Sequence, residues 1–353
     1  MRTRIPMSGL RERGSALLVT AVALALISAC SSTTATGSPG ATTEAAKTAS
    51  MSAPASSPAA PAFPVTIENC GRTLTVDAAP TATLTMNQGA TEVMLSLGLQ
   101  GSMVGTAYLD DAVADKYEAA YQTVPVLAKE YPNQEAVLAA KPDFVYASYS
   151  SAFDPEAAGS QDDLAALGIA SYLSPFGCAD KALRAPVSFD SVWAEISDIG
   201  TILGIEDGAS GVIASQAAVV DAAKATAAGE GLDVFWYDSG DKTPTAGAGG
   251  GSPQVLLDSV GATNIFADVE GGWADVSWER VVKADPDVIV LADASWSTAD
   301  EKKKYLESDP ALQGLSAVKN ERFVVLPFSE TTAGVRLADG VQSLSDQLAA
   351  LPS

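Results

Sequence analysis

Cysteine, serine and carboxylate side chains are the candidates for chemistry in this 353-residue chain, because it contains no histidine at all. Histidine is the commonest general base and the commonest zinc or manganese ligand, so His-dependent hydrolysis and His-ligated metal capture are both excluded. A nucleophilic serine would have no histidine to activate it, and Gly-x-Ser-x-Gly does not occur. The chain is therefore not expected to be an enzyme. Asp110, Asp111 and Asp115 form an acidic cluster, but their spacing does not make an EF-hand, and solvated acids are the simpler reading. Ala246-Gly-Ala-Gly-Gly-Gly-Ser lacks the Lys-Ser/Thr of a phosphate-binding loop and reads as a mobile connection. With 43 acidic against 21 basic residues the net charge is −22, which disfavours nucleic acid and anionic lipid as partners.

Arg2, Arg4, Arg11 and Arg13 precede fourteen uncharged residues, Ala16 to Ala29. These are the positive and apolar regions of a signal peptide, and the apolar run falls short of the roughly 20 residues that a spanning helix needs. The run ends in Ile27-Ser28-Ala29-Cys30, which resembles the lipobox cleaved and lipidated in bacterial lipoproteins. On that reading residues 1–29 are removed, Cys30 carries lipid, and the protein is anchored on the extracytoplasmic face of the cell membrane. Loss of the leader's four arginines and one glutamate takes the charge from −22 to −25. Residues 30–62 are rich in Ser, Thr, Ala and Pro without hydrophobic periodicity, and are expected to be a disordered tether reaching roughly 30 Å. Cys70 and Cys178 then remain in an oxidising compartment, where a disulfide between them is expected.

From Phe63 onward, short β-branched or aromatic runs alternate with helical stretches. Thr81 to Met86, Phe144 to Tyr149, Val234 to Tyr237, Val288 to Leu291 and Phe323 to Leu326 read as strands; Ala90 to Leu97 and Gln254 to Val260 read as helices. The pattern predicts an α/β fold with mainly parallel sheets flanked by helices. An internal repeat divides it: Glu135-Ala-Val-Leu-Ala-Ala-Lys-Pro-Asp-Phe-Val matches Glu279-Arg-Val-Val-Lys-Ala-Asp-Pro-Asp-Val-Ile at an offset of 144. Each copy is a helix stopped by a Pro-Asp turn before a buried strand. Two similar lobes are expected, residues 63–188 and 230–353, connected by helices over 189–229. Val192, Ile196, Ile199 and Leu203 recur there at helical spacing. The lobes are expected to be joined by a long backbone helix acting as a stiff spacer; a helix packed on one lobe alone is the alternative, and sequence leaves both open.

These residues resemble the helical-backbone solute-binding proteins that serve importers of iron-siderophores, haem and cobalamin. The resemblance covers nearly all of residues 63–353. It rests on Phe63-Pro-Val-Thr-Ile-Glu-Asn-Cys-Gly-Arg, Asn87-Gln-Gly-Ala-Thr-Glu-Val-Met-Leu-Ser-Leu-Gly, the Lys141-Pro-Asp strand and Gly261-Ala-Thr-Asn-Ile-Phe, in that order. It implies a monomer working with an ABC permease and ATPase complex, with Glu135 and Glu279 as the permease-docking carboxylates, one on each lobe.

In such folds the ligand sits at the carboxyl ends of the strands, between the lobes. That places Asn87, Gln88, Tyr108 and Tyr149 at the site from the first lobe, and Tyr237, Asp238, Trp273 and Trp296 from the second. Trp273 lies where cobalamin binders of the family put a wall tryptophan. Arg336 is a candidate partner for an anionic group. Aromatic rings with a few polar groups suit a partly charged organic ligand better than a bare ion. The expected ligand is a metal chelate, foremost a ferric siderophore, with Fe3+ arriving already chelated and no cofactor or direct metal ligand in the protein. Cobalamin, haem or another cofactor-sized ligand is the alternative, and a surface interaction lipoprotein without transport is a third reading.

Overall fold

The computed structural model describes residues 62–352; the leader, Cys30 and the tether up to residue 61 lie outside the described residues. A hairpin of β1 (Val65–Asn69) and β2 (Arg72–Val76) opens the first lobe. There follow β3 (Thr83–Met86), α1 (Gln88–Ser96), β4 (Met103–Ala107), α2 (Asp115–Tyr121), β5 (Val126–Ala128) and α3 (Gln134–Ala139). The lobe closes with β6 (Phe144–Ala147), α4 (Gln161–Ala166) and β7 (Ala170–Leu173). Its sheet is entirely parallel, in the order β5-β4-β3-β6-β7. Every strand therefore ends on the same edge, which is what positions the site.

Two helices, α5 (Phe189–Leu203) and α6 (Glu206–Thr226), lead to the second lobe. That lobe comprises β8 (Asp233–Ser239), β9 (Thr245–Gly247), α7 (Ser252–Val260), β10 (Thr263–Asn264) and β11 (Trp273–Asp275). It continues through α8 (Trp278–Ala284), β12 (Val288–Asp293), α9 (Ala299–Ser308), α10 (Ser316–Lys319), β13 (Phe323–Pro327) and α11 (Leu337–Ala350). The sheet order is β11-β9-β8-β12-β13 with β10 also on β8; β9 and β11 alone run antiparallel to their neighbours. The fold is thus α/β with two similar, mainly parallel lobes.

Both faces of each sheet are covered, and the strands show it as alternation between two cores. On β6, Phe144 and Tyr146 face the helices α1 and α5 while Val145 and Ala147 face the opposite layer. On β12, Val288 and Val290 share the first core and Ile289 and Leu291 lie in a separate one. The first core is continuous across the lobes, because α5 contributes Val192, Ile196 and Ile199 and α11 contributes Val341 and Leu344 to the same cluster. The backbone is consequently two packed helices rather than one spacer. Gly204, at φ +67°, ends α5, and a Cβ on Gly200 would fall 2.4 Å from the Ala209 Cβ of α6. Trp193 Nε1 donates to Gln216 Oε1 at 3.1 Å, and Gln216 Nε2 donates to the Val335 carbonyl at 3.0 Å, which carries the contact from α5 into the second lobe.

The repeat has a physical meaning in each lobe. Lys141 and Asp285, equivalent positions, both adopt left-handed backbone at φ +54° and +45° to turn from helix to strand. Two residues later, Asp143 accepts from the amides of Thr81 and Ala82 at 2.8 and 2.9 Å, and Asp287 accepts from the Asp233 amide at 2.9 Å. Each Pro-Asp carboxylate thereby ties its own strand to the start of the neighbouring one. Cys70 and Cys178 form a disulfide with a Cα–Cα separation of 5.4 Å, joining the hairpin to the segment before α5.

Candidate functional site

Each strand of the first sheet ends in a residue of the site. Asn87 follows β3, Tyr108 follows β4, and Tyr131, Tyr149 and Phe176 lie just beyond β5, β6 and β7. From the second lobe, Asp238 lies near the end of β8, Trp273 on β11, and Phe328 directly after β13. A concavity of about 510 Å³ lies between them, with Tyr149, Phe176 and Arg184 on one side and Asp238, Trp273 and Phe328 on the other. That volume is within the usual range for small-molecule sites. A second concavity of about 530 Å³ lies on the first lobe alone and includes Asn87, Tyr108 and Tyr131; Tyr149 borders both.

The aromatic exposure is concentrated here. Among the described residues the exposed aromatics are Tyr149 (42%), Trp273 (37%) and Trp296 (59%). Trp296 meets Phe328 edge-on at 4.7 Å between centroids, so it stands at the rim behind a ring that lines the cleft. Burial and the Asp110 charge push the Tyr149 hydroxyl up to about 12, leaving it a neutral donor at physiological pH. Burial also raises the Asp238 carboxyl, with Lys302 opposing the shift.

Asn87 sits at φ 75°, ψ 161°, a conformation essentially confined to glycine. Its Oδ1 accepts from the Tyr131 hydroxyl at 3.1 Å. The glycine-rich stretch is pinned rather than mobile, which corrects the expectation from sequence. Ala248, Gly249 and Gly250 donate to the carbonyls of Gly272, Val269 and Gly271 at 2.9, 3.0 and 2.8 Å. A Cβ on Gly251 would lie 2.5 Å from the Gly272 Cα; the glycines are there because two backbones touch. This contact sets the amino end of α7 at the cleft, with Gly250, Gly251 and the buried Ser252 on its wall.

Two other expectations change. Tyr237 is fully buried among Phe235, Phe266 and Trp278, and its hydroxyl donates to the Gly240 carbonyl at 3.0 Å. β8 runs on to Ser239, so the alternation of side chains turns Tyr237 to the core and Asp238 to the cleft. Arg336 does not face the ligand space. It is 7% exposed, donating to Glu330 Oε1 at 2.8 Å and Ser329 Oγ at 2.6 Å. Gln88 is buried but lines a small recess of about 40 Å³ together with Tyr149, Phe176 and Phe328, its Nε2 donating to Glu92 Oε1 at 2.8 Å. The acidic cluster also divides: Asp110 lines the first-lobe concavity, Asp111 accepts from Ser329 Oγ at 2.8 Å across the lobes, and Asp115 is exposed on α2. Phe176, Arg184, Tyr131 and Phe328 are the site residues that sequence reasoning missed. Phe328 follows a strand legible in the sequence, so the strand-end rule applied to it would have found it.

Glu135 and Glu279 are both exposed in the first turns of α3 and α8. The helices are capped at equivalent positions, Asn133 accepting from the Ala136 amide and Ser277 from the Arg280 amide.

Residues 84–330 match the periplasmic binding protein family, and the chain belongs to it. This is a family of solute-binding proteins rather than enzymes. The chain is 27% identical over 292 residues to the ABC transporter substrate-binding lipoprotein YvrC of Bacillus subtilis, covering 81% of this chain and 86% of that one. Among solved structures, a periplasmic binding protein from Veillonella parvula superposes with a TM-score of 0.69 at 27% identity, over 82% of this chain and 98% of the other. A component of an ABC-type Fe3+-hydroxamate transport system from Saccharomonospora viridis gives 0.65 at 25% identity, over 81% and 99%. A periplasmic haem-binding protein from Roseiflexus shares the fold, with a TM-score of 0.61 at 20% identity over 78% and 99%.

Proposed function

We propose that this chain is the extracytoplasmic, lipid-anchored substrate-binding protein of an ABC importer. On this reading it captures a metal chelate, foremost a ferric siderophore, between its lobes and hands it to the permease. The observation that carries the reading is the cleft itself: a concavity of about 510 Å³ bordered by both lobes, at which the exposed Tyr149 and Trp273 meet. Exposed rings gathered at one place indicate a binding surface, and they supply contact area at low entropic cost. Arg184 and the amino end of α7 add hydrogen-bond donors suited to the oxygen-rich rim of a chelate. Metal enters this reading inside an organic ligand, because the chain has no histidine to coordinate it directly. The Bacillus and Saccharomonospora relatives support the assignment by their transport systems.

Cobalamin or haem is the second reading, favoured by the exposed Trp273 wall. Titration of tryptophan fluorescence with a ferric hydroxamate, a ferric catecholate, haem and cobalamin tests both. Saturable quenching by a ferric siderophore at micromolar or lower concentration is expected. A flat response to all four would overturn the proposal.

A further inference from the structure

The first-lobe concavity, which meets the cleft at Tyr149, has an unbalanced charge. Its concavity of about 530 Å³ is bordered by the rings of Tyr108, Tyr131 and Tyr149. Asp110, Glu130, Asp154 and Glu156 line the same space. Among the described residues none of these four carboxylates is in an ion pair. Asp110 is held above its ordinary carboxylate range by burial, then by the charges of Asp111 and Glu130. Keeping Asp110 charged in this setting costs free energy, and a ligand of opposite charge would offset it.

A second observation is independent of the acids. Asn87 is 1% exposed and lines this concavity, yet its Nδ2 has no hydrogen-bond partner. Buried donors are nearly always satisfied, so an unpaired one on a cavity wall points to an acceptor supplied by a ligand.

The ligand class follows by elimination. An anion is repelled, and the carboxylates do not converge as ligands of a bare metal ion. Aromatic faces interleaved with carboxylates are the recognition set for an organic cation, to which the rings offer their negative faces and the acids a diffuse opposite charge. We propose that this pocket binds an ammonium or guanidinium group carried by the ligand, with an adjacent ligand oxygen accepting from Asn87 Nδ2. The inference rests on the cleft being the chelate site and narrows the cargo to one that is positively charged at its first-lobe end.

The test uses the mature chain and two probes that differ only at one terminus: ferrioxamine B, a ferric trihydroxamate with a free, charged terminal amine, and its neutral N-acetylated form. Calorimetry is expected to show the amine bound at least about tenfold more tightly, with a preference that shrinks as salt is raised. The double substitution Asp110→Asn, Glu130→Gln is expected to bring the ratio close to unity. Equal affinities of the unsubstituted protein for the two chelates would overturn the cation inference while leaving the chelate reading intact. Should neither chelate bind, the chelate reading loses its support and the pocket is read separately by NMR, with choline against its neutral isostere 3,3-dimethylbutanol. Saturable shifts of the tyrosine rings with choline alone, lost in the double variant, uphold the inference; identical responses to both overturn it.

Discussion

Arg336 Nη1 lies 3.7 Å from Glu92 Oε1, joining α1 of the first lobe to the residue just before α11 in the second. Both side chains are buried, and Arg336 also donates to Glu330 and Ser329. Outside this pair, Lys116 Nζ donates to Asp339 at 2.7 Å, again across the lobes. The lobes are thus held beneath the cleft by a buried guanidinium whose partners come from both sides. Removing one member of such a set leaves uncompensated buried charge, which costs about 3–5 kcal/mol. Arg336→Ala is expected to lower stability by that order, read from the urea midpoint at constant m-value. Because Arg336 points away from the ligand space, the folded fraction of the variant should keep its ligand affinity. A large loss of affinity with unchanged stability would contradict the structural role.

Glu195 gives stability a pH dependence of a particular sign. The Tyr146 hydroxyl donates to its Oε1 at 2.6 Å, and burial raises its carboxyl from 4.5 to about 7 against the opposing effect of that bond. Burial raises Glu92 to about 7 as well, with Arg336 opposing. A folded-state value above the unfolded one means the native state binds more protons over the window from 4.5 to 7. The advantage is complete below pH 4.5 and is lost as pH rises through 7, on the order of 3 kcal/mol for a shift of this size. The melting temperature is therefore expected to fall between pH 5 and pH 8. Glu195→Gln, which keeps an acceptor for Tyr146, should flatten that fall and melt higher than the parent at pH 8. An equally steep profile in the variant would show that Glu195 is not its source.

The Cys70–Cys178 bridge closes a segment of 108 residues. By the chain-entropy relation a loop of that length contributes up to roughly 4–5 kcal/mol, reduced by any structure in the unfolded chain. Cys178→Ser is expected to shift the urea midpoint down markedly. Thiol titration of the denatured parent should find no free thiol at Cys70 or Cys178 until a reductant is added; two free thiols from the start would refute the bridge.

Tyr149 borders both concavities and is 42% exposed, so its ring has contact area to give a ligand and little to lose from folding. Tyr149→Ala is expected to weaken binding by about ten- to a hundredfold with a melting shift of only a degree or two. Tyr237→Ala, by contrast, opens a core cavity and should cost about 3–5 kcal/mol. The contrast between the two substitutions separates a site tyrosine from a core one.

The parts of the fold legible in the sequence are those set by local chemistry. Lys141-Pro-Asp and Asp285-Pro-Asp mark their turns because proline stops a helix and the following carboxylate has nearby strand amides to bind. Asn87, Tyr108, Tyr149 and Asp238 follow from one rule, that parallel strands end on a common edge, whereas Trp273, which opens the antiparallel β11, is reached only through the resemblance. The same rule misplaced Tyr237, because β8 extends two residues further and each residue reverses the side-chain direction. Arg336 is harder to read: Glu330 and Ser329 lie six and seven residues before it, but the third partner, Glu92, is in the other lobe and has no local sign. The pinned glycines were missed likewise, since the contact that requires them is between Gly251 and Gly272, in separate segments.

The repeat carries one more consequence, for the partner. Glu135 and Glu279 occupy equivalent first-turn positions of helices capped at equivalent residues, and both are exposed. Neither makes an ion pair among the described residues, so both are available to a second molecule. Two like charges at matched places on two lobes suit a pseudo-symmetric, positively charged surface, for which complementarity acts on encounter and register more than on raw affinity. A first-turn glutamate contributes only about 0.3–1 kcal/mol to its own helix. Glu135→Arg with Glu279→Arg should therefore leave the melting temperature within a few degrees and chelate affinity unchanged, yet abolish uptake of that chelate by cells carrying the cognate transporter. Each single reversal should give an intermediate loss, since one lobe can still dock. Uptake undiminished in the double variant would remove both carboxylates from the proposed docking surface.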